Sequence, residues 1–155
     1  QAELTRRAPS ADVVVMAAAV ADFRPVAAAP GKIKKDQGVP QILLEPTPDI
    51  LEGLGAHKRP GQVLVGFAAE TSDLVANAQS KLRRKHLDLV VANDVGAPGV
   101  GFQHDTNAVT LLSADGSIRS IELSDKRSIA RAVVDTVVRI RGVQPTPLAP
   151  SSPPH

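Results

Sequence analysis

Residues 62–94, QVLVGFAAETSDLVANAQSKLRRKHLDLVVAND, decide the fold. They open on a short apolar run, residues 62–67 (QVLVGF), of the kind found in strands buried on both faces. In residues 71–86, Leu74, Ala78 and Leu82 recur every fourth position, as in an amphipathic helix. Thr71 or Ser72 is the expected cap. Lys81, Arg83, Arg84 and Lys85 crowd the last turns, where cations suit the helix dipole. Residues 87–92 (LDLVVA) then supply another buried strand, with Asn93 and Asp94 just past its carboxyl end.

The alternation extends in both directions. Val13, Val14 and Val15 form a β-branched run, again expected to be buried on both faces. Residues 41–44 make a short extended segment ended by Glu45 and Pro46. Residues 48–55 read as a helix, with Pro48 in its first turn, Asp49 at the positive end of the dipole and a glycine closing it. Beyond residues 96–105, a glycine-containing loop, residues 108–112 and 117–123 flank Ala114-Asp115-Gly116, a hairpin signal. Residues 124–140 give the last helix, with Ser124 as cap and Ile129, Val133, Val137 and Ile140 on one face. Strands alternating with helices imply an α/β domain with a mainly parallel sheet over residues 1–141. Residues 142–155 are rich in proline and serine and read as a disordered tail or linker.

Composition narrows the chemistry. The 155 residues suffice for one domain with a core. A net charge of +2 argues against a nucleic-acid binder with a general basic surface, so any anion recognition must be local. With no cysteine, disulfides, thiolate nucleophiles and Cys-ligated zinc are excluded. The four histidines show no ligand spacing and no triad logic. No apolar run approaches a membrane span and no signal peptide opens the sequence, so a cytoplasmic, soluble protein is expected. The lack of an initiating methionine suggests a piece of a longer chain. Neither GxGxxG nor GxxxxGK[ST] occurs, which disfavours a dinucleotide-dependent oxidoreductase.

Ligands of open α/β sheets sit outside the carboxyl ends of strands. Three such ends here carry AAAVAD, GFAAET and ANDV, and these should converge on one cleft. Alanines let a ligand approach the backbone, although for the alanines alone tight helix–sheet packing is the better explanation. Asp22 could orient a ligand amine or hydroxyl, or hold a divalent metal. Phe23 and Phe67 are either core residues or covers for an aromatic base. In KIKK, Lys32 and Lys34 share one face of an extended chain and suit a polyphosphate, whereas a lysine run is more commonly a solvated face. TPDI starts a helix whose backbone N–H groups could take an anion or a base edge, although capping is the simpler account. Glu70 could simply cap the following helix. Lys81 and Lys85 lie one helical turn apart.

Taken in order, AAAVADFRP, KIKK, TPDIL, LVGFAAET, KLRRKHLDLVVANDV and GFQHDTNAVTLL resemble the C-terminal part of phosphopantothenoylcysteine synthetase. In bacteria that part is commonly fused to a flavin-dependent decarboxylase. The resemblance covers residues 12–140. It implies a Rossmann-like three-layer sandwich with a mainly parallel sheet and a C-terminal hairpin. It also implies a CTP-dependent ligase of coenzyme A biosynthesis. The carboxylate of 4′-phosphopantothenate attacks the α-phosphate of CTP, and cysteine then displaces CMP from the acyl-cytidylate. Mg2+ accompanies the nucleotide, and no flavin is expected in this part.

Carried over by the resemblance, the CTP contacts fall on Met16, Ala17 and Ala18, on Asp22 and Lys32, and on Pro48, Asp49, Ile50 and Leu51. They continue at Phe67, Lys81 and Lys85. The backbone at 16–18 and at TPDIL would read base and ribose, and Asp22 would hold the nucleotide directly or through the metal. Lys32 would act catalytically, with Lys81 and Lys85, on triphosphate charge. No residue is assigned as a protein metal ligand. The family is usually a homodimer with its site near the interface, and the hairpin and the lysine-bearing segment are candidate interface elements. The family's glycine-rich opening and its Asn-containing substrate segment do not precede Gln1. The competing expectation is therefore a nucleotide-binding or assembly domain without catalysis.

Overall fold

A computed structural model describes residues 1–28, 31–33, 38, 40–70, 72–94 and 106–142. Helix α1 (Ala2–Arg7) and a short 3-10 turn lead into β1 (Val13–Met16). The strands β2 (Phe23–Pro25) and β3 (Leu44–Pro46) follow, then α2 (Ile50–Ala56), β4 (Val63–Glu70), α3 (Leu74–Arg84) and β5 (Leu89–Asp94). The chain closes with β6 (Thr106–Ser113), β7 (Ile118–Asp125) and α4 (Lys126–Ile140).

Five strands form one sheet in the order β1-β4-β5-β6-β7. Strands β1, β4 and β5 are parallel, and the β6–β7 hairpin adds two antiparallel strands. Alternate residues of the central strands feed two cores. Leu64, Ala68, Val90, Ala92 and Leu112 point to one face, where Leu51 of α2 and Ala78 of α3 meet them. Val63, Val65, Leu89, Val91, Val109 and Leu111 point to the other, under Ile129, Val133 and Val137 of α4. Helices on both faces make the three-layer α/β sandwich. Strands β2 and β3 stand apart as a two-stranded antiparallel ribbon, cross-linked by Arg24 Nε donating to Glu45 Oε1 at 2.7 Å.

Several local expectations shift. Strand β1 is not buried on both faces: among the described residues it pairs with β4 alone, and α4 packs over β6 and β7, so Val15 is 50% exposed. The extended segment expected at 41–44 forms its strand at Leu44–Pro46, because its partner is the Phe23–Pro25 stretch. Strand β4 runs on to Glu70, in register with Asp94, so α3 starts only at Leu74. Its N-cap is Asp73, in a left-handed conformation and without a side-chain cap bond. Thr71 lies outside the described residues. Glu70 does not cap the helix; its Oε2 accepts from Asn77 Nδ2 at 3.1 Å.

In the same way Asp49, not Pro48, opens α2: its side chain accepts from the Glu52 N–H, and Pro48 precedes the cap. Gly55 lies inside α2. Asp125, not Ser124, caps α4, accepting from the Ser128 N–H, because β7 extends to Asp125. Ile140 is partly exposed, and Ala132 and Thr136 join the buried face instead. The hairpin turn forms where expected, with Gly116 at φ 88° and Asp115 Oδ1 accepting from the Ser117 N–H. Lys34, Lys35, residues 95–105 and residues 143–155 lie outside the described residues.

Candidate active site

A cavity of about 360 Å3 opens at the carboxyl ends of the parallel strands, on the face covered by α2 and α3. It brings together Met16, Ala18, Asp22, Pro48, Asp49, Ile50, Leu51, Phe67, Lys81 and Lys85. Two residues singled out in the sequence lie elsewhere. Ala17 turns to a second, apolar cavity on the α4 face. Lys32 is exposed and does not line the cleft. Thr47, Ala19, Val20 and Ala21 also line it, although no side-chain chemistry in the sequence marked them.

Close packing gives the cleft its shape. A Cβ on Gly66 would meet Leu51 Cδ2 and Leu87 Cδ1, both at 2.8 Å, so the glycine of GFAAET lets α2 settle on the sheet. A Cβ on Gly55 would lie 1.9 Å from the Lys85 carbonyl oxygen, which shows how tightly α2 meets the end of α3. That approach carries Asp49 to Lys85: Lys85 Nζ donates to Asp49 Oδ2 at 2.6 Å. Lys85 is only 8% exposed. Burial opposes the charge on Asp49. The Lys85 ammonium, the Glu52 N–H and the field of Arg84 outweigh it, so the carboxyl lies below the ordinary carboxylate range.

One turn earlier, Lys81 Nζ donates to the Phe67 carbonyl at 3.3 Å. Burial, then repulsion from Lys85, pulls the Lys81 pKa down, and Glu70 counteracts this only in part. The floor thus holds one ammonium neutralised by a carboxylate and a second, partly desolvated one that, among the described residues, is held by a backbone oxygen alone. Such a group gains from an incoming anion. Phe67 is 37% exposed and forms part of the wall of both cavities, so it is neither wholly core nor wholly a platform.

The opposite wall is the turn after β1. The Thr47 N–H donates to the Asp22 carbonyl at 2.8 Å, and Thr47 Oγ1 donates to the Ala21 carbonyl. Asp22 is exposed at the lip and makes no ion pair among the described residues. Those residues contain no cluster of three His, Cys, Asp or Glu suited to a metal. With Asp49 paired to Lys85, Asp22 is the cavity-lining carboxylate that could contribute to holding a metal ion whose other ligands came from a bound ligand and water.

An open α/β sheet with a basic, alanine-walled cleft beyond its parallel strands defines a ligand-binding domain of the strand-end type. The family model described as "DNA/pantothenate metabolism flavoprotein C-terminal domain" matches residues 1–140, and the chain belongs to that family. It is 43% identical over 131 residues to the coenzyme A biosynthesis bifunctional protein CoaBC of Bacillus subtilis, covering 84% of this chain and 32% of that protein. It is also 43% identical over 129 residues to a cysteine/cysteine sulfinic acid decarboxylase from an unknown prokaryotic organism, covering 83% of this chain and 36% of that protein. The chain thus spans about a third of the length of these curated relatives. Among solved structures, the C-terminal domain of CoaBC superposes with a TM-score of 0.73 at 32% identity, covering 92% of this chain and 61% of that one. Among the described residues no helix is long and apolar enough to cross a membrane.

Proposed function

We propose that the domain is the phosphopantothenate–cysteine ligase part of a coenzyme A biosynthetic protein, using CTP. The observation that carries this reading is the pair of lysines on the cleft floor, one neutralised by Asp49 and one awaiting an anion. The family and the CoaBC relatives supply the pathway. The carboxylate oxygen of 4′-phosphopantothenate attacks the α-phosphorus of CTP. The bond from that phosphorus to the bridging oxygen breaks, pyrophosphate leaves, and an acyl-cytidylate forms. The amine of cysteine then attacks the acyl carbon, CMP departs, the nitrogen loses a proton, and an amide results.

The chain's residues position the reactants and neutralise charge, and no protein nucleophile is required. Lys81 takes the polyphosphate, whose negative charge favours the ammonium form that burial and Lys85 disfavour. Lys85 adds positive potential from beneath, and the strand end at Met16 and Ala18 with residues 48–51 accepts base and ribose against Phe67. Asp22 holds the nucleotide or its magnesium ion, which when bound supplies further neutralisation of the phosphates.

Lys32 lies outside the cleft, and its neighbour Ile33 shares a groove with Val26, Ile42 and Leu43 beside the ribbon, where Phe23 and Leu44 are also exposed. A monomer rarely leaves so much apolar surface together. We read the ribbon as the homodimer contact that brings Lys32 to a cleft. The decarboxylase of the fused relatives is the expected neighbour in the same polypeptide or assembly.

Calorimetry with CTP, ATP and NAD in magnesium buffer, followed by pyrophosphate release on adding phosphopantothenate, tests the proposal. CTP-selective binding with pyrophosphate release supports it. CTP binding without release restricts the domain to nucleotide binding or assembly, and no binding of any nucleotide refutes the reading of the cleft.

A further inference from the structure

The two walls of the cleft come from distant parts of the sequence, residues 17–22 after β1 and residues 47–51 before and into α2. Among the described residues, Thr47 makes both hydrogen bonds between them, N–H to the Asp22 carbonyl and Oγ1 to the Ala21 carbonyl. The first bond extends the β2–β3 ribbon by one step beyond the Phe23–Pro46 pair, and any residue except proline could make it. The second needs a hydroxyl.

It is needed because the turn cannot anchor itself. Residues 17–22 read AAAVAD; four are alanine, Val20 is 46% exposed and Asp22 is exposed. Side chains this small leave the space a ligand requires, but they supply almost no packing to fix the backbone that borders it. The carboxylate of Asp22 sits at the end of that turn, on the lip.

We propose that Thr47 is a positioning residue: its hydroxyl latches the alanine turn to the opposite wall and so holds Asp22 in the place from which it meets the nucleotide or its metal. The inference rests on the nucleotide reading of the cleft. It concerns a residue that touches the turn and acts through it. When the latch is lost, only a fraction of free molecules has the turn in place, and apparent affinity falls by that fraction. A hydrogen bond of ordinary net strength corresponds to a loss of about three- to tenfold.

The test compares Thr47→Val, which keeps the shape and loses the donor, with Thr47→Ser, which keeps the donor. Binding of CTP with magnesium is measured by calorimetry, and hydrogen exchange is followed at the amides of residues 21–23 and 47. Thr47→Val should bind about three- to tenfold more weakly, with kcat for pyrophosphate release within about twofold of wild type. Thr47→Ser should remain within about twofold on both. In an Asp22→Asn background, adding Thr47→Val should cost less than about twofold, because the residue it positions is already disabled. Equal binding by Thr47→Val and wild type, an equally weak Thr47→Ser variant, or full additivity with Asp22→Asn overturns the proposal. If wild type binds no nucleotide, the cleft reading fails separately. The latch is then judged by exchange alone: unchanged protection of the turn in Thr47→Val rejects it, and faster exchange rescued by serine sustains the mechanical half.

Discussion

Gly55→Ala probes the contact on which the cleft floor depends. The new methyl carbon would lie 1.9 Å from the Lys85 carbonyl oxygen and 2.9 Å from its carbonyl carbon. Both sides of that contact are backbone, so no side chain can swing away. Restoring ordinary van der Waals distance requires α2 and the end of α3 to part by more than an ångström. Overpacking of this kind costs ~1–3 kcal/mol, and a backbone-to-backbone clash belongs at the upper end. Alanine's better helix propensity returns ~1 kcal/mol, leaving a net loss of ~2 kcal/mol. For a domain of this size that is about 4–8 °C in Tm.

The same separation pulls Asp49 from Lys85, whose 2.6 Å contact spans the two segments, so CTP affinity should fall with stability. Gly53→Ala is the control. It lies in the same helix, its Cβ would meet nothing within 4 Å, and it should be neutral or stabilising by up to ~1 kcal/mol. Thermal and urea unfolding of both variants, with calorimetry for CTP, decide the matter. Equal stability of the two variants, or a Gly55→Ala protein as stable as wild type, would refute the reasoning.

Three further outcomes follow from other contacts. Asp88 accepts from Lys58 Nζ at 2.8 and 2.9 Å and from the Leu64 N–H at 2.7 Å, at the end of the sheet away from the cleft. Asp88→Ala strands the Leu64 N–H and removes the counter-ion of Lys58, which keeps its bond to the His86 carbonyl at 2.9 Å, and should cost ~1–3 kcal/mol in urea unfolding at an unchanged m-value, with CTP affinity retained in the folded protein. Lys81 has a lowered pKa, so its ammonium is lost earlier than an ordinary lysine's as pH rises. CTP affinity should therefore fall as pH rises, and do so before an ordinary lysine would titrate, with proton uptake on binding, while the free domain gains stability as pH rises between the folded and unfolded pKa values. An affinity that stays constant until ordinary lysines titrate, with no proton uptake in buffers of different ionisation enthalpy, contradicts this. Lys32→Gln should leave Tm unchanged and remove pyrophosphate release; wild-type turnover in that variant removes Lys32 from the mechanism.

The strand–helix–strand unit of residues 62–94 was legible because both faces of the sheet are covered, which writes the strands as unbroken apolar runs and the helix with a period near four. Boundaries were less legible. Whether β4 ends at Phe67 or Glu70 depends on how far β5 runs beside it, and that pairing then moves the start of α3 from Thr71 to Leu74. Val13–Val15 illustrates the opposite failure: a run of valines signals a strand, but not whether a helix covers each face. In the site, Asp22, Lys81 and Lys85 carry charge at strand and helix ends and could be picked out, whereas Thr47 could not. Its role lies in two hydrogen bonds to carbonyls more than twenty positions away, and a threonine before a proline reads equally well as part of a cap.

By itself, then, the sequence determined the α/β class, the central strands and helices, the absence of thiol chemistry, and a set of residues able to serve a polyphosphate. These follow from composition and short-range periodicity, which are properties of the chain before it folds. Only the tertiary structure decided which lysine is paired to Asp49 and which to a backbone carbonyl, which wall Ala17 faces, and that Lys32 stands apart from the cleft. Each of these depends on the approach of segments distant in sequence, Gly55 against Lys85 and Thr47 against Ala21, and no local pattern encodes a distance across the fold.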